Sequence, residues 1–105
     1  MKINAYALEK ILNEFKPTRI HYGFVSNTPN IYGNIIPKDI YVNGAWLEIR
    51  NKNYEDVGIY VDEYTNLRFD NDADEVIFYN KAGYISFRFK MQDFDDVQDI
   101  LSDYQ

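Results

Sequence analysis

The chain predicts an α+β domain: an N-terminal helix, a six- to seven-stranded antiparallel meander sheet, and a C-terminal helix. Three observations carry that prediction. Leu8, Ile11, Leu12 and Phe15 recur at helical spacing near the start. From residue 19 to 90, apolar and polar residues alternate in short runs divided by Asn, Gly, Pro and Asp. Phe94, Val97, Leu101 and Tyr104, with Ile100 beside them, then restore helical spacing. At 105 residues and 12.5 kDa the whole chain, 1–105, reads as one domain.

The first helix is expected over residues 4–16. Asn4 can cap it, Lys10 and Glu14 stand four apart as an ion pair, and Pro17 stops it. In 19–25, Ile20, Tyr22 and Phe24 alternate with Arg19, His21 and Gly23, and a second short strand follows over 31–36. Residues 39–50 read as a hairpin with Asn43-Gly44 as a type I′ turn. That turn places Ile40, Val42, Ala45, Leu47 and Ile49 on one face and Tyr41, Trp46, Glu48 and Arg50 on the other. Val57, Ile59 and Val61 give a further inward stripe, and residues 76–79 and 84–89 a further hairpin. Asp93 is the expected cap of the last helix, with Asp96 three residues on, and acids in a first turn suit the helix dipole. Both helices are expected to cover one sheet face.

Composition narrows the function. There are no cysteines, so disulfides, thiol nucleophiles and thiolate zinc sites drop out, and the cytoplasm is the expected compartment. Glu9 and Lys10 interrupt the apolar stretch a leader would need, and no apolar run nears the roughly 20 residues of a membrane helix. The net charge is −6, unevenly spread. Residues 1–52 hold seven Lys/Arg against four Asp/Glu, a net of +3, and residues 53–105 hold four against thirteen, a net of −9. Nucleic-acid binders need a basic face, so direct nucleic-acid binding is not expected. The acidic half attracts a basic partner instead.

Asp70, Asp72 and Asp74 stand at alternate positions, as at the start of a calcium loop. Glu75 occupies the place of the turn glycine and Lys81 that of the bidentate glutamate, so no metal and no cofactor is expected. If residues 76–79 and 84–89 pair, the 70–75 connection returns beside the start of the last helix. Asp70, Asp72, Asp74, Glu75, Asp93, Asp95 and Asp96 then merge into one acidic surface that Asp99 and Asp103 extend. Tyr41, Trp46 and Tyr60 lie opposite the aliphatic stripes and form a second candidate contact surface, provided no helix covers them.

These features predict a small acidic, non-enzymatic protein-binding domain. Its expected role is an inhibitor that occupies the basic surface of a nucleic-acid-handling protein, such as a nuclease, by nucleic-acid mimicry. The analogy in charge and size is to small acidic phage and mobile-element proteins, anti-CRISPR inhibitors among them, and to immunity proteins. One alternative is a structural module that homodimerises through the aromatic sheet face. Another is an RNase-like enzyme built from His21, Glu48, Arg50 and Arg88. Glycines 23, 33, 44, 58 and 83 are scattered and form no phosphate loop.

Overall fold

The computed structural model describes residues 3–24, 31–53, 55–61, 65–70, 72–89 and 94–103. Helix α1 spans Ala5–Phe15. Asn4 caps it, its side-chain oxygen accepting from Ala7 N at 2.8 Å. Lys16 closes it in the left-handed conformation (φ 46), its N–H donating to Leu12 O at 2.9 Å. Ala5, Ala7, Leu8, Ile11 and Leu12 are buried, and Lys10 and Glu14 pair at 3.0 Å across the exposed side. The amphipathic stripe therefore does what its spacing predicts.

Among the described residues eight antiparallel strands follow, one more than the upper expectation: β1 Ile20–Phe24, β2 Ile31–Ile35, β3 Asp39–Asn43, β4 Trp46–Arg50, β5 Asp56–Tyr60, β6 Asn66–Asp70, β7 Glu75–Asn80 and β8 Gly83–Arg88. The added strand is β6, whose Leu67 and Phe69 alternate inward against Phe78 and Val76. The strands form two sheets, not one meander. β3, β4 and β5 make a three-stranded meander, and the rest make a five-stranded sheet in the order β2-β1-β8-β7-β6. Pairing of β1 with β8 unites a hairpin and a meander that lie far apart in the chain. Gly83 permits that junction: its φ is +156, and a Cβ there would run into the Gly23 carbonyl.

The β3–β4 turn differs from expectation by one residue. Asn43 pairs with Trp46, so Gly44 and Ala45 form the loop, and only Gly44 has positive φ (65). That is the type II′ pattern, with glycine at the first central position. Sliding a two-residue loop by one position leaves each side chain on its predicted face. Ala45 alone changes, lying exposed in the turn.

Helix α2 spans Phe94–Asp103. Asp93, Tyr104 and the side chain of Phe94 lie outside the described residues. α1 packs against β3, β4 and α2. The core draws on all layers: Leu8, Ile11 and Leu12 from α1, Val97, Ile100 and Leu101 from α2, and Leu47, Ile49, Ile20, Ile85, Phe87, Val76 and Phe78 from the sheets. Phe89 joins them edge-on to Phe15 (5.2 Å) and Phe69 (5.9 Å). Asn80 ties the sheets together, its amide donating to Tyr60 O (2.8 Å) and Thr65 Oγ1 (3.0 Å) while its oxygen accepts from Ala82 N. Among the described residues no helix is long and apolar enough to cross a membrane.

Candidate functional site

The alternating aspartates have a local explanation. Asp70 ends β6 opposite Glu75, which begins β7. Between them Asp70 Oδ1 accepts from Asp72 N (3.0 Å) and Ala73 N (3.3 Å), an Asx turn. Asp74 takes the left-handed conformation (φ 50), which aspartate tolerates better than most residues. Its carbonyl accepts from Phe89 N at 2.7 Å, extending the β7–β8 ladder. Asp70 and Asp74 thus shape the backbone. Among the described residues no three His, Asp or Glu side chains gather as a metal site.

The turn shares a cleft of about 790 Å³ with the end of α1, the start of β1 and the end of β8. Lys16, Arg19 and Arg88 line it together with Asp72, Asp74 and Glu75. No described residue of α2 lines it, so the turn's carboxylates have cations for neighbours there. Arg88 pairs across the ladder with Glu75, which is why β8 brings a cation to this end.

The acids of α2 are different. Asp95, Asp96, Asp99 and Asp103 are all exposed, while Val97, Ile100 and Leu101 turn inward. Asp95, Asp99 and Asp103 stand four residues apart, a row with steps of about 6 Å along one helix side. No Lys or Arg occurs in the helix. Asp95 and Asp96 in the first turn favour the dipole, whereas Asp103 in the last turn opposes it.

The second candidate surface is open to solvent. Tyr41, Trp46 and Tyr60 lie on the outer face of the three-stranded sheet, with Trp46 47% exposed. Trp46 pairs with Tyr60 across β4 and β5, and their rings meet edge-on at 5.5 Å. Beside them Arg50 has two partners. It contacts Asp56 at 3.4 Å, donates to Tyr41 Oη at 3.3 Å, and lies 5.7 Å from the Tyr41 ring centre. The Asp56 hydrogen bond, then the Asp56 charge and Tyr41, raise the Arg50 pKa above its usual value.

The outer face of the five-stranded sheet holds residues that sequence reading left unassigned. Across the strands from β2 to β6 runs the row Asn34, His21, Ser86, Ile77, Arg68. The row beside it is Tyr32, Gly23, Tyr84, Tyr79, Asn66. A Cβ on Gly23 would collide with the Tyr84 ring and approach Tyr32 Cδ1 to 3.1 Å, so glycine lets Tyr84 lie against the sheet. Around half-exposed Ile77 an open cleft of about 620 Å³ forms, lined by His21, Arg68, Glu75, Tyr79, Tyr84 and Ser86. The signal for this face was present as alternation in β7 and β8, but it needed the strand order to become a surface.

The RNase-like set is divided by the fold. His21 and Arg88 lie on the outer face of the five-stranded sheet, Glu48 and Arg50 on that of the three-stranded sheet. Comparison with protein-family models, curated proteins and solved structures gives no match for this chain.

Proposed function

We propose that the protein is a non-enzymatic, cytoplasmic binding domain that sets the acidic face of α2 against a basic surface of another protein. The observation that carries this reading is the Asp95, Asp99, Asp103 row, exposed and without a cation on its own helix. Like charges at this spacing cost a helix about 0.2–0.5 kcal/mol per pair. One of the three, Asp103, also opposes the dipole. A basic surface turns that cost into attraction. Lys/Arg grooves of nucleic-acid-handling proteins accept carboxylates in place of phosphates, so a nuclease is the partner class, and inhibition by occupancy the expected outcome. Asp72 and the aromatic trio are peripheral to this contact.

The test is the salt dependence of the retained partner. A protein captured on the immobilised domain should be released at about 1 M salt, where screening acts within roughly 3 Å. A partner held unchanged at that salt, or one lacking a basic groove, contradicts the reading.

The exposed Trp46–Tyr60 pair favours a second reading, homodimerisation through the three-stranded sheet. Light scattering separates the two. That reading requires a dimer that Trp46→Ala dissociates, and a monomer or an unaffected dimer removes it.

A further inference from the structure

The outer face of the five-stranded sheet takes no part in the contact proposed for α2, and its chemistry is of another kind. We propose that the cleft around Ile77 binds a nucleoside monophosphate. Three features of the lining match three parts of that ligand. Ile77, Tyr79 and Tyr84 offer an apolar floor and aromatic rings for a planar base. Arg68 offers a guanidinium fork for a phosphate, and the Ser86 and tyrosine hydroxyls are further donors. Glu75 is an acceptor suited to ribose hydroxyls.

His21, Arg68 and Tyr79 are exposed and Glu75 and Tyr84 half-buried, while Ser86 is buried. Among the described residues, neither an ion pair nor a side-chain hydrogen bond engages Arg68, Glu75, His21 or Ser86, in contrast to Arg50 on the opposite sheet. The cleft volume of about 620 Å³ falls within the roughly 300–1,000 Å³ of small-molecule sites. Gly23 gives the site its shape, since any side chain there would lift Tyr84 from the sheet.

Charge decides between a single nucleotide and a strand. A polyanion needs a basic track and meets a chain of net charge −6, whereas the cleft offers one guanidinium, Arg68, which suffices for a single phosphate. The occupant is therefore the monomer.

The experiment is a titration of the full chain with AMP, followed by amide chemical shifts or calorimetry. Adenosine, inorganic phosphate and a short oligoadenylate are titrated in parallel. AMP is expected to bind saturably and one to one, with shifts confined to β1, β6, β7 and β8. Adenosine and inorganic phosphate should each bind about tenfold or more weakly, and Arg68→Gln should weaken AMP about tenfold. Arg68 is exposed on an edge strand, so its replacement leaves the core intact; Glu75→Gln is the second probe and should also weaken AMP. The proposal is overturned by absence of saturation up to about 10 mM AMP. It is equally overturned by equal affinity for adenosine, by unchanged binding in both variants, or by an oligoadenylate that binds more tightly than AMP.

Discussion

The two helices bury similar stripes and expose opposite kinds of surface. α1 hides Leu8, Ile11 and Leu12, and α2 hides Val97, Ile100 and Leu101. On its outer side α1 carries Tyr6, Lys10, Asn13 and Glu14, with one ion pair and a side-chain cap. The outer side of α2 carries Asp95, Asp96, Gln98, Asp99, Ser102 and Asp103, with no cation. The inner faces answer to packing and are interchangeable in kind. The outer faces are free of that constraint, so a surface that works against its own helix points to a demand from outside the fold. α1 is arranged to be stable; on the reading proposed above, α2 is arranged to meet a basic partner.

Variants can sharpen that contrast. The largest effects belong to the shared inner stripes. Leu12→Ala and Leu101→Ala should each cost about 2–5 kcal/mol in denaturant unfolding, because both side chains are fully buried. A much smaller loss for Leu101 would break the equivalence of the two helices. Next comes the cap: Asn4→Ala should cost about 1 kcal/mol by removing the acceptor for Ala7 N. The smallest effect has the opposite sign. Asp99→Lys should stabilise the domain by about 0.5–1 kcal/mol, since it places a cation toward the C-terminal end and an i,i+4 partner after Asp95. The charge reversal is thus expected to help α2. A destabilisation on the same unfolding curve would show that Asp99 already serves the fold.

The elements and their faces were legible because they follow local periodicity. Ile40 and Val42 face in and Tyr41 faces out whatever the strands do later. The division into two sheets was not legible. It depends on the union of β1 with β8, and nothing local in Gly23 or Gly83 announces that their backbones will meet. The same gap hid the cleft around Ile77, whose lining comes from β1, β6, β7 and β8. Asp70 and Asp74 were visible as a pattern whose chemistry has two uses. Backbone amides of Asp72 and Ala73 take the Asp70 oxygen. For the acidic patch, Asp95, Asp96, Asp99 and Asp103 of α2 are exposed, and Asp93 lies outside the described residues. Their union with the 70–75 turn rested on a hairpin argument, and the described cleft beside that turn is lined by Lys16, Arg19 and Arg88.

The most direct test of a binding role for α2 reads stability and partner retention on one variant, Asp99→Lys/Asp103→Lys. The result predicted is a domain at least as stable as the original that no longer retains the basic partner, while Asp72→Lys retains it. Undiminished retention by the α2 variant would contradict the account.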